Sequence, residues 1–155
     1  MVGVKWLTLK IMSRIVNLNS PAKVRSQNLR TIAEVLRHVG AKTSFDAESK
    51  DMAASLVYSL HEINASIDQT ANAWEKRGYW MKAERFMRKW TWSKEMAANL
   101  EDVIRNDAWD LLPDLLGQLL TYTADIQVKN MTRSKDTWQG AYKRLMAEPP
   151  SEIPW

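Results

Sequence analysis

The sequence predicts an all-α protein: an up-and-down, four-helix-type bundle with an extra amphipathic segment at its N-terminus and a short helix near its C-terminus. Two observations carry this expectation. Glycine and proline number only five each in 155 residues and fall where helices begin or end. Apolar residues recur at alternating intervals of three and four over long stretches, the period of a helix with one buried face.

In residues 1 to 18, Val4, Leu7, Ile11, Ile15 and Leu18 align on a helical wheel with Lys10 and Arg14 beside them. The strand-like alternation of Val2, Val4, Trp6 and Thr8 is brief, so a helix is preferred. The segment lacks acids, but no convincing small-residue cleavage site follows, and it is retained as part of the domain. Ser20 then offers an N-cap and Pro21 a first helical residue; Leu29, Ile32, Leu36 and Val39 share a face, and Gly40 supplies a stop. This predicts a helix from about 21 to 39.

Thr43, Ser44 and Asp46 are capping candidates for the strongest periodic signal in the chain, Ala53, Leu56, Leu60, Ile63, Ile67, Thr70 and Trp74. Gly78 marks a C-terminal cap or kink. Tyr79, Ala83, Phe86, Trp90, Ser93, Ala97, Leu100 and Ile104 continue the same alternation, predicting a second long helix with a bundle-type seam. Asn106 to Asp110 reads as a turn. Leu112 and Pro113 restart a helix whose face is Leu112, Leu116, Leu119, Thr123 and Ile126; Leu111, Leu115 and Leu120 widen it, so it should be the most buried of all. A last amphipathic segment from Ser134 to Met146 presents Trp138, Ala141, Tyr142 and Leu145 before Pro149 and Pro150 end it. Residues 1 to 148 read as one domain and 149 to 155 as a loose tail.

Composition narrows the chemistry. The absence of cysteine removes disulfides, thiolate nucleophiles and Cys-ligated metals. Apolar runs such as Leu115-Leu116 are far shorter than the ~20 residues needed to span a bilayer, and a soluble, cytoplasmic protein is expected. The net charge of +4 is uneven: residues 1 to 45 carry eight basic residues against Glu34 alone, and residues 46 to 155 carry fourteen against seventeen acids. That asymmetry hints at a polyanionic or acidic partner.

Catalytic patterns are not supported. Neither histidine has the Glu-x-x-His spacing of a carboxylate-bridged metal site: Tyr58 precedes His61 by three residues and Val35 precedes His38. Glu34 and His38, at i and i+4, read as a surface ion pair. Ala65 stands where the second histidine of a His-Glu-x-x-His motif belongs. Glu101, Asp102, Asp107, Asp110 and Asp114 form an acidic cluster, but the last three fall before or within the first turn of a helix, where carboxylates satisfy free N–H groups. No Gly-rich phosphate loop or nucleophile elbow is present. A non-enzyme without a cofactor is the expectation.

One stretch stands apart. Residues 74 to 92, WEKRGYWMKAERFMRKWTW, hold four of the eight tryptophans and six of the twenty-two Lys and Arg residues. On one continuous helix, Tyr79, Ala83, Phe86 and Trp90 cluster within about 40°, with Trp80 and Met87 beside them, so these rings are expected to face inward. Lys82, Arg85, Arg88 and Lys89 fall on the far side with Trp92, whose exposed indole could stack on a base. A second strip runs along the helix predicted from 21 to 39, where Lys23, Arg30 and Arg37 repeat every seven residues opposite Leu29, Ile32 and Leu36, interrupted by Glu34. An ordinary solvated face is the alternative for both strips.

The sequence therefore predicts a non-catalytic helical accessory or small-subunit protein that contacts a polyanion, the nucleic-acid backbone, within a larger assembly. The alternative is a structural or adaptor protein acting through protein contact or self-association, with no nucleic-acid binding. A membrane surface is the least favoured partner.

Overall fold

The architecture of residues 19–151, seen in a computed structural model, consists of six α-helices and two short 3-10 turns, with no strand among the described residues. The N-terminal segment, 1 to 18, lies outside them, as do residues 152 to 155.

Helix α1, Pro21–Gly40, starts as its sequence requires: the Ser20 side chain accepts the Lys23 N–H, and Pro21 occupies the first turn, where no N–H is needed. Gly40 is its last residue, and the chain leaves through Ala41 in a right-handed conformation, with its N–H shared between the Arg37 and His38 carbonyls. Helix α2, Ala47–Lys76, opens on a capping box in which the Asp46 carboxylate accepts the Ser49 N–H and the Ser49 hydroxyl accepts the Asp46 N–H. At 30 residues it is about 45 Å long. Leu56, Leu60, Ile63 and Ile67 along it are all sealed from water. The strongest periodicity in the sequence thus becomes the trunk, against which α1 and most of the later helices pack.

Gly78, at φ +81°, ends the trunk: its N–H bonds the Glu75 carbonyl and the Tyr79 N–H reaches back to the Trp74 carbonyl, the paired bonds of a Schellman reversal. The single long helix expected beyond it is two helices, α3 (Trp80–Lys89) and α4 (Thr91–Arg105), broken at Trp90. At the break the Thr91 hydroxyl donates to the Met87 carbonyl, a back-bond that bends helices, and Trp90 sits at φ −104°, ψ 9°. The expected turn after α4 forms around Asp107, at φ +52°, with the Ala108 N–H returning to the Val103 carbonyl.

Helix α5, Leu112–Tyr122, corrects the expectation that it is the most buried element. Only Leu112 and Leu119 are buried, while Leu111 and Leu120 are 52% and 55% exposed. The helix meets the bundle along one side, mainly against α4, so its leucine-rich circumference exceeds the surface available to cover it. It also ends at Tyr122, before Ile126. Asp110 and Asp114 make no side-chain cap for it; Asp107 instead accepts the Trp109 indole N–H.

The last segment is interrupted at Gly140, φ +79°, so that helix α6 spans only Ala141–Ala147. Trp138, Ala141 and Leu145 are buried as expected. Asp51 on α2 accepts the N–H groups of Gly140 and Tyr142 and fixes the start of α6. The stretch expected to be loose is tied down over residues 149 to 151: Arg105 donates to the Glu148 and Pro149 carbonyls, and Ser151 donates its N–H and hydroxyl to Glu101. No helix of the described residues is long and apolar enough to cross a membrane.

Candidate nucleic-acid interface

The basic residues of α1 do not form a free strip. Lys23 is exposed, but Arg30 donates through Nη1 and Nη2 to the carbonyls of Gln127 and Asn130, and Arg37 donates to the carbonyl of Val128. Both arginines hold the irregular segment that follows α5.

Glu34, expected on the surface beside His38, is the centre of that attachment. Its carboxylate has no exposed surface and accepts from Arg30 Nε at 2.8 Å, Thr132 N at 2.5 Å, the Thr132 hydroxyl at 2.8 Å, Arg133 N at 2.9 Å and Arg133 Nη1 at 3.2 Å. Burial by itself would raise the Glu34 pKa, but the Arg133, Arg30 and Thr132 donors outweigh it and hold the carboxyl at about 2. His38 packs its ring on Trp138 instead, with centroids 4.8 Å apart.

A second buried carboxylate, Glu101, accepts from Arg105 Nε at 2.8 Å, from both donors of Ser151, and meets His61 Nε2 at 3.3 Å. Its burial would raise the pKa; the Ser151 and Arg105 bonds bring it below the ordinary value. Ser151 and Glu101 both face the same His61 nitrogen, and the Ser151 hydroxyl donates to Glu101 itself. A serine, histidine and acid relay has the acid and the serine on opposite ring nitrogens, which this cluster does not; its bonds tie residues 149 to 151 to α4.

The strip on α3 is different. Lys82, Arg85, Arg88 and Lys89 are all exposed. Arg88 pairs with Glu84 at 2.5 Å, but both side chains are well solvated, and such a pair contributes little. The Lys82 ammonium lies 4.5 Å from the Trp74 ring centre.

The aromatic side chains are distributed otherwise than one continuous helix would place them. Trp92 is half-buried and lies flat on Tyr122, with centroids 4.2 Å apart and planes within 5°; Trp90 stacks beside it at 5.8 Å. The break at Trp90 turns residue 92 away from the basic face that helical continuity would have given it. A ladder of rings follows, Trp74, Phe86, Trp90, Trp92 and Tyr122, joining α2, α3, α4 and α5. Arg25, which the sequence did not single out, covers Phe86 at 4.8 Å and donates to the Thr70 hydroxyl and the Ser66 carbonyl; burial lowers its pKa.

Trp80, expected to face inward, is 64% exposed, flanked by Tyr79 at 53% and Met81 at 68%. Only Ala83 of α3 is fully buried, with Phe86 and Met87 half-buried. The first turn of α3 lies at the reversal where α2 has already ended, so its rings have no helix face opposite them. Lys76 and Arg77 are exposed on the other side of the same reversal. The tip therefore exposes three large apolar side chains within a basic stretch, since residues 74 to 92 hold six Lys and Arg against Glu75 and Glu84. The signal for this arrangement is Gly78, because a full reversal there ends the pairing of α2 with whatever follows immediately.

Compared with known protein families, curated proteins and solved structures, the chain matches none of them.

Proposed function

We propose that this protein is a non-catalytic helical accessory protein that holds single-stranded nucleic acid across the tip of α3, within a larger assembly. The observation that supports the reading is that one short helix and the reversal before it expose both rings, Tyr79 and Trp80, and cations, Lys76 and Arg77 at the reversal and Lys82, Arg85 and Lys89 along α3. Cations alone would serve any polyanion. Exposed rings add a preference, because unpaired bases offer π-faces for stacking whereas a duplex keeps its bases stacked on one another.

The test is fluorescence anisotropy with labelled single-stranded oligonucleotides and the matching duplex across a salt series. Neutralising ~5 phosphates of a single strand gives a log-log salt slope of about −3.5, and Arg85→Ala or Lys89→Ala should each flatten it by about 0.7. Trp80→Ala should cost about 1 to 3 kcal/mol on the single strand. Equal affinity for strand and duplex, unchanged by Trp80→Ala, would remove the single-strand reading. No binding at low salt would assign the tip to a protein partner, as expected of an adaptor.

A further inference from the structure

Away from the α3 tip, three aromatic side chains from distant parts of the chain meet, and two of them, Trp109 and Tyr142, flank one ammonium group. Phe45 precedes α2, Trp109 sits in the 3-10 turn after α4, and Tyr142 belongs to the first turn of α6. The Phe45 and Trp109 ring centres are 5.1 Å apart and the Trp109 and Tyr142 centres 6.0 Å, at tilts of 49° and 51°. Inclined rings of this kind form the walls of a cup. Lys50 Nζ stands 5.5 Å from the centres of both Trp109 and Tyr142, and among the described residues no carboxylate lies within ion-pair distance of it. The cup opens onto a solvent-open surface groove that Asp46, Asp51 and Lys143 also line, with Phe45 half exposed.

We propose that the Phe45, Trp109 and Tyr142 cup is a binding site for a quaternary or fully methylated ammonium group, and that Lys50 is an internal occupant which the ligand displaces. Aromatic faces attract cations through the ring quadrupole, and the attraction grows as the cation is desolvated. A primary ammonium such as Lys50 is compact and strongly hydrated, and leaving water for the rings offsets much of its gain. A tetraalkylated nitrogen has no N–H to hydrate, keeps its full charge and presents methyl groups to the ring faces. It is the better guest for the same walls. Lys50 is tethered at the rim, so its side chain can return to solvent without moving α2. Asp51 is held in place by the Gly140 and Tyr142 N–H groups and remains close to the cup as a fixed negative charge.

The measurement is a titration with tetramethylammonium chloride, against sodium chloride at equal ionic strength, followed by the Trp109 indole N–H resonance of the full chain. If Lys50 fills the cup about nine-tenths of the time, Lys50→Ala should bind tetramethylammonium about tenfold more tightly than the wild type. Lys143→Ala removes an equal charge from the rim without emptying the cup and should change affinity less than twofold. Phe45→Ala, at a position already half exposed, should weaken binding in the Lys50→Ala background. Phosphocholine and an N-acetylated trimethyllysine amide then distinguish a lipid-type from a peptide-type source, the first gaining from Lys143 and the second indifferent to it. The proposal is overturned if Lys50→Ala shows no saturable shift, binds no more tightly than the wild type, or is matched by Lys143→Ala.

Discussion

Removing the charge of Glu34 isolates what holds the segment after α5. The side chain is fully buried, accepts five hydrogen bonds, and has its pKa brought from 4.5 to about 2. A displacement of that size corresponds to about 3 kcal/mol of stability at neutral pH. The folded value lies below the unfolded one, so the stabilisation is complete above the unfolded pKa of about 4.5 and is lost as the pH falls towards 2. Glu34→Gln keeps the shape but brings an NH₂ group against N–H donors. Urea unfolding followed by circular dichroism should show it less stable than the wild type by at least about 2 kcal/mol at pH 7, with the gap narrowing by about 1 to 2 kcal/mol at pH 3. A gap below about 0.5 kcal/mol at pH 7, or one equal at both pH values, would refute the assignment of Glu34 as the charged anchor.

Two further substitutions probe the trunk. Leu60→Ala, at a fully buried position in the middle of α2, should destabilise the domain by about 2 to 5 kcal/mol in the same unfolding assay, since the surrounding helices cannot close on the lost volume. Asp46→Ala removes the carboxylate half of the capping box and should cost about 1 kcal/mol, restored in part by Asp46→Asn, which keeps an acceptor for the Ser49 N–H.

The helical class, α1, α2 and a cap or kink at Gly78 were legible because they rest on local chemistry: a Ser20-Pro21 start, an Asp46 cap, an unbroken periodic run and one glycine in the left-handed region. What escaped was non-local. The periodic pattern carries through Trp90 without a missed step, so the break at that residue leaves no mark in the spacing. Helical phase then put Trp80 inside and Trp92 outside, whereas chain reversal exposes the first and the break stacks the second on Tyr122. The leucines of α5 looked buried because side-chain type says nothing about how many neighbours a helix finds. Glu34 looked like an interruption in a basic strip. Its hint was present, as the lone acid among Arg30, Ile32, Val35 and Leu36, but four of its five donated bonds come from a segment about a hundred residues away. For the candidate interface, the basic half was visible as composition and the aromatic half was not.

The bonds from α1 to the segment after α5 join residues 91 to 106 positions apart. During synthesis α1 and α2 can pair as soon as both have emerged, yet Arg30, Glu34 and Arg37 must wait in water until residues 127 to 133 arrive. The carboxylate is therefore desolvated late, when the strap lands and all its donors engage together. The same step run backwards opens the domain without unpacking the trunk, because lifting the strap returns a charge to solvent while α1 and α2 stay paired. Amide exchange at Thr132 and Arg133 should then be faster than at Leu60 or Ile63, with the strap as a separate cooperative unit laid over the bundle.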